Sequence, residues 1–115
     1  MNDNDRIRLQ HILDAAREAQ AFASGKTRDD VFSDRKLLLI LVKEVEIIGE
    51  AANNLSGELK ERCNHIPWRD IIAMRNRLIH AYFDVNPDFV WDTVTNDLAP
   101  LVAEVRKILE AEKRK

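Results

Sequence analysis

Leu37-Leu38-Leu39-Ile40-Leu41-Val42 is the longest uninterrupted apolar run in the chain, and it leads into a stretch where Glu46, Gly49, Glu50 and Asn53 recur at helical spacing. The run is far too short to span a bilayer. Ser33 or Asp34 can cap its start, so the reading is one helix from Arg35 to about Asn54. A surface helix needs a single apolar stripe. One that is apolar on more than one side is either central or packed against a second chain, and a partner subunit is a natural use for the surplus face. Glu46 and Glu50 form a solvated edge or balance an arginine from a neighbouring helix. Gly49 costs the helix about 1 kcal/mol relative to alanine, and close approach of another helix is a reason to keep it.

Upstream, Ile7, Leu9, Ile12, Leu13, Ala16, Ala19 and Ala23 repeat at spacings of three and four, with Gly25 in a C-cap position. They predict a first helix from Asp5 to Ser24, followed by a polar connection over Lys26-Thr27-Arg28-Asp29-Asp30. Downstream, Ser56-Gly57-Glu58 opens a short third helix ending near Cys63. Pro67 begins a fourth helix that extends to about Tyr82. Asn86-Pro87-Asp88 restarts the chain into a fifth helix, Asp88 towards Glu110. Pro100 must kink or split that last helix, and Asp97 is a candidate cap for its second half. Four long helices and one short one, joined by short connections, read as an all-α antiparallel helical bundle forming a single domain over residues 1–115.

The composition limits the function classes. A net charge of -2 lacks the cationic excess of a strong phosphate binder, so any contact with RNA must come from a local cluster. Cys63 stands alone, which excludes an intramolecular disulfide and fits a reducing compartment. One cysteine and three scattered histidines lack metal-ligand spacing, and no cofactor is expected. The start Met-Asn-Asp-Asn-Asp is the opposite of a signal or transit peptide, so a cytoplasmic domain without a membrane span is expected.

The fourth helix carries the unusual residues. On a helical wheel centred on Arg75, the residues Ile71, Ile72, Leu78, Ile79, Tyr82 and Phe83 fall within about 80°. Arg75 therefore lies in the apolar arc. A buried arginine needs a partner, so it either meets a carboxylate inside the bundle, with Glu46 and Glu50 as candidates, or lines a cleft. His80 stands about 140° round, on the side of Asn76. On a straight helix Arg75 and His80 would not touch through short side chains; a helix end near His80 or a symmetric dimer would reconcile them. Arg62, His65, Arg69, Arg75, Arg77 and His80 form the densest basic run in the chain. Histidine serves as general acid or base, and arginine offers a permanent bidentate charge to phosphate. Together they suffice for attack by an RNA 2′-hydroxyl on its own phosphate, because the substrate supplies the nucleophile; DNA lacks that hydroxyl. Trp68 and Trp91 read as core residues rather than base-stacking platforms, Cys63 as inert, and His11 and His65 as surface residues.

Arg75-Asn76, then His80-Ala81-Tyr82, resembles the Arg-x4-His-x-Tyr signature of the HepT toxins in the HEPN superfamily. The flanks are similar too: Ile66-Pro67-Trp68-Arg69-Asp70-Ile71-Ile72, Phe83-Asp84-Val85, Glu46-Ile47-Ile48-Gly49-Glu50-Ala51-Ala52 and Val90-Trp91-Asp92-Thr93-Val94. The resemblance implies a HEPN-like helical bundle, a homodimer with two motifs facing one cleft, and metal-independent endoribonuclease activity in a type VII-like toxin–antitoxin module. It also implies a partner, a minimal-nucleotidyltransferase antitoxin of the MntA type that transfers AMP to the motif tyrosine. Carried onto this chain, Arg75 binds phosphate, His80 is the acid or base, Asn76 supports the site with Arg77, Glu46 and Glu50, and Tyr82 is the AMPylation target. The alternative is a non-catalytic dimer that binds nucleotide or RNA as an adaptor for the nucleotidyltransferase.

Overall fold

A computed structural model describes the backbone of residues 1–80 and 86–114, with side chains described up to Arg77 and again from Asn86. The helices are α1 (Asp3–Ala23), α2 (Arg28–Ser33), α3 (Arg35–Asn53), α4 (Gly57–Arg62), α5 (Trp68–His80), α6 (Pro87–Asp92) and α7 (Leu98–Lys113), with a π-helical segment, Thr93–Asp97, joining the last two. There is no strand among the described residues. No described helix is long and apolar enough to cross a membrane.

The expected long helices appear as α1, α3, α5 and the α6–α7 stretch, the end drawn near Tyr82 lying outside the described residues, and α3 explains its own apolar run by being central. It packs against α1 on one side and α5 on the other, while α7 packs against α1. Leu37, Leu38, Leu41 and Val42 are buried, leaving only Leu39 of that run well exposed. Most of that run is therefore buried within a single chain. Leu9, Ile12, Leu41, Ile48, Leu98 and Val105 form the innermost layer. Trp68 is buried and donates its indole N–H to the carbonyl of Cys63 at 3.2 Å, as a core tryptophan should.

Capping fixes the ends. Asn2 accepts from the backbone N–H of Asp5 at 2.7 Å and Asp34 from that of Leu37 at 3.2 Å. Gly25 takes a positive φ of 76°, which terminates α1 as a C′ residue. Asp5 is buried and accepts from both the backbone N–H of Ser56 (2.9 Å) and its hydroxyl (2.6 Å), while the Ser56 oxygen caps α4 at Leu59. One carboxylate thus ties the start of α1 to the turn after α3, which sets the two helices antiparallel.

Two expectations are corrected. The stretch assigned to a polar connection contains a helix, because Thr27 and Asp30 form a reciprocal capping box and Val31 is buried. A six-residue helix is marginal alone; here Arg28 also bridges to Asp88 and Asp92 of α6. The expected fifth helix is divided, into α6 and α7 with the π-helical segment between them, but Asp97 does not cap the second half, since its side chain makes no cap hydrogen bond. Pro100 lacks an N–H and its ring crowds the carbonyl of residue 96, and the π-helical turn over Thr93–Asp97 widens the helix there so that the chain continues.

Glu44 is buried on α3, and its Oε2 has no hydrogen-bond partner among the described residues. Burial, reinforced by the neighbouring Glu18 carboxyl, pushes its pKa up from near 4.5 to about 7. The folded state therefore holds a proton that the unfolded chain releases, so stability is full below about pH 4.5 and falls as pH rises towards 7. Glu44→Gln keeps the shape and the donor to Glu18 without the charge. It is expected to raise stability by about 2 kcal/mol at pH 8, with the gain vanishing near pH 4. Urea unfolding of both proteins across that range measures it; a pH-independent difference would mean Glu44 does not titrate in the fold.

Candidate functional site

Lys43, Glu46, Ile47 and Glu50 lie three to four residues apart and so form one stripe of α3. The antiparallel α1 sets Arg8 and His11 across from that stripe. Between the helices runs a groove of about 450 Å³ that also admits Arg75 from α5.

Arg75 reaches the groove because of Gly49. A Cβ added at Gly49 would lie 2.1 Å from the Cβ of Arg75 and 3.3 Å from its Cα, so α5 touches the backbone of α3 at this point. The stem of Arg75 is thus laid against α3, one residue from Glu50. Its Nη2 pairs with Glu50 Oε2 at 2.7 Å, and its Nη1 donates to Asn76 Oδ1 at 3.1 Å. The arginine is 26% exposed and the glutamate 53%, which puts the pair at the lip of the groove rather than inside the bundle. Arg75 thus lines a cleft, and it meets one of the two expected carboxylates there rather than inside the bundle. Asn54 donates a second, longer hydrogen bond to Glu50 Oε1 at 3.3 Å.

The remaining sequence candidates divide. Glu46 lines the groove, with Lys43 at 4.0 Å. Arg77 is not gathered there; its guanidinium lies 4.0 Å over the ring centre of Phe89, on α6. The basic run disperses as well, since Arg62 pairs with Glu112 at 3.6 Å and His65 with Glu104 at 3.0 Å. The His65 contact is the main cause holding the Glu104 carboxyl below its usual range. His80 is the last residue of α5, but its side chain lies outside the described residues, as does the whole of Tyr82. Among the described residues no group of three His, Cys, Asp or Glu side chains is placed to hold a metal ion.

Arg8, His11 and Lys43 were not legible as site residues. They stand on the polar sides of two helices far apart in sequence, and only α1–α3 packing brings them beside Arg75.

The sequence model of the HepT-like ribonucleases matches residues 12–108, which include α3, the groove's α3 wall and the whole Arg75–Tyr82 segment. The chain belongs to the HepT-like ribonuclease family. A protein of Methanocaldococcus jannaschii named "Gamma-glutamylcyclotransferase and putative RNase" is 38% identical over 110 residues, covering 96% of this chain and 50% of that protein. A "Putative RNase" of Caldanaerobacter subterraneus subsp. tengcongensis is 37% identical over 105 residues, covering 91% and 94%. A "Probable ribonuclease HepT" of Thermococcus cleftensis is 34% identical over 100 residues, covering 87% and 91%. The chain thus spans half of the first relative and over nine-tenths of the other two. No solved structure matches it. The all-helical architecture observed is the one the HepT resemblance implies.

Proposed function

We propose that this HepT-like chain is a metal-independent endoribonuclease toxin that cleaves RNA with Arg75 and His80. The observation that supports it best is Arg75, whose guanidinium stands at the lip of an open groove, held there by Glu50 and Asn76. A guanidinium so placed is a ready phosphate ligand, able to exchange one anion for another. The ribose 2′-oxygen attacks the adjacent phosphorus, the bond from phosphorus to the 5′-oxygen breaks, and the products are a 2′,3′-cyclic phosphate and a 5′-hydroxyl. His80 removes the 2′-hydroxyl proton or gives one to the leaving 5′-oxygen. Two copies of the chain, with their motifs facing one cleft, would supply both roles. Arg75 neutralises the charge gathering on the phosphorane oxygens.

Regulation follows from Tyr82, two residues beyond the histidine. A nucleotidyltransferase antitoxin that transfers AMP from ATP to the phenol oxygen would release pyrophosphate and leave a bulky anion beside the catalytic pair. RNA would then be excluded by both volume and charge repulsion.

The test is chemical. The purified protein is expected to cut single-stranded RNA in excess EDTA, leaving cyclic phosphate ends, and to spare the same strand carrying 2′-deoxyribose at the cut position. Cleavage of the deoxy-substituted linkage, or abolition of cutting by EDTA, would overturn the mechanism.

A further inference from the structure

The geometry points to the groove between α1 and α3 as the track that holds the RNA strand next to the cleaved linkage, with Arg8 and Lys43 as its phosphate ligands. The inference rests on the ribonuclease reading and adds to it the residues that grip the substrate outside the Arg75–Tyr82 segment.

Four features of the groove converge. Part of its lining is apolar, from Ile7, Ile47 and Ala51. Ile7 is 52% exposed, a large aliphatic side chain that the core does not use and that offers a surface for a base or ribose. Its walls carry Arg8 and His11 from α1 and Lys43 from α3, with Arg75 entering from α5. Asn4 and Asn54 also line the groove, and carboxamides can pair with base edges that an unstacked strand presents. Apolar lining, cationic walls and amide donors are the parts of a single-strand RNA site.

Length and charge agree with that occupant. From Lys43 to Asn54 the α3 wall runs about 16 Å at 1.5 Å per residue, while a stacked strand carries one phosphate per roughly 3.4 Å. More than one phosphate therefore meets the groove. Its two carboxylates do not block entry, because each already faces a cation: Glu50 pairs with Arg75 at 2.7 Å and Glu46 lies 4.0 Å from Lys43. Glu50 occupies the anion position on Arg75 in the free protein. When a phosphate replaces it, Asn54 still donates to its other oxygen. The overall charge of -2 conceals this track, since the cations that matter come from three separate helices.

Binding is measured with a short single-stranded RNA bearing 2′-O-methyl ribose, which the enzyme cannot cut, and cleavage with the unmodified strand. The double variant Arg8→Gln/Lys43→Gln is expected to bind the methylated RNA more than 10-fold more weakly. Its salt dependence should be shallower by about 0.7 in log–log slope for each contact removed. On unmodified RNA its KM rises by a similar factor while kcat stays within about 2-fold. Arg8→Lys is expected to restore most of the lost affinity, and Arg106→Ala, exposed on α7, is expected to bind as the parent does. Unchanged binding by the double variant would overturn the track, as would equal weakening by Arg106→Ala, which would signal a net-charge effect alone. A parent protein that binds the methylated strand through Arg8 and Lys43 but does not cut the unmodified one would leave the track standing and overturn the ribonuclease reading instead.

Discussion

Arg75→Ala and His80→Ala are each expected to lower single-turnover RNA cleavage by about 10²–10⁴-fold, while far-UV circular dichroism stays that of the parent. The separation of activity from stability follows from where the arginine sits. The Arg75–Glu50 pair is at the lip of the groove, with Glu50 half-exposed. Its removal costs the fold at most about 1 kcal/mol. Among the described residues of α5, the same arginine is the side chain that lines the groove, so a phosphate there loses its bidentate partner. Arg75→Lys separates charge from shape: it keeps a cation but cannot make two parallel hydrogen bonds, so partial activity is expected. Variants that still cleave at the parental rate would place the chemistry elsewhere in the molecule.

Gly49→Ala is expected to destabilise the protein by about 3 kcal/mol and to remove most activity, although alanine is the better helix former by about 1 kcal/mol. The new methyl would stand 2.1 Å from the Cβ of Arg75, an atom fixed to the α5 backbone and unable to swing away. Relief requires α5 to move off α3. That movement opens the packing between α3 and the helix carrying Arg75, and it pulls the guanidinium from Glu50. Gly57→Ala is the matched control, because nothing lies within 4 Å of a Cβ built there. Thermal unfolding compares the two; a Gly49→Ala protein as stable as the parent would mean that the helices are not in backbone contact.

Much of this protein was set by local sequence. The spacing of Leu9, Ile12, Leu41, Ile48 and Val105 dictates amphipathic helices, and Asp34, Ser56 and Gly25 mark ends that the structure keeps. The partner of Arg75 was legible as a choice between Glu46 and Glu50, because an arginine in an apolar arc must find an anion. The value of Gly49 was legible as well, since a helix does not keep that glycine without a neighbour pressed against it.

Tertiary structure decided the rest, and each case has the same cause: the deciding interaction lies between residues distant in sequence. The α2 helix owes its persistence to Val31 burial and to Arg28 reaching α6, neither visible in a polar hexapeptide. The apolar run at Leu37 to Val42 left a central helix and a subunit interface both open, and the fold buries Leu37, Leu38, Leu41 and Val42 within one chain while α3 packs on both α1 and α5. The basic run from Arg62 to His80 looked like one patch, yet four of its described members, Arg62, His65, Arg77 and Arg75, turn to Glu112, Glu104, Phe89 and Glu50. His11 was read as a surface residue and Arg8 and Lys43 were not singled out, and antiparallel packing of α1 on α3 brings all three into one groove with Arg75. Helix periodicity reports which face is buried; it carries no information about which other helix arrives there, and the groove depends on that arrival.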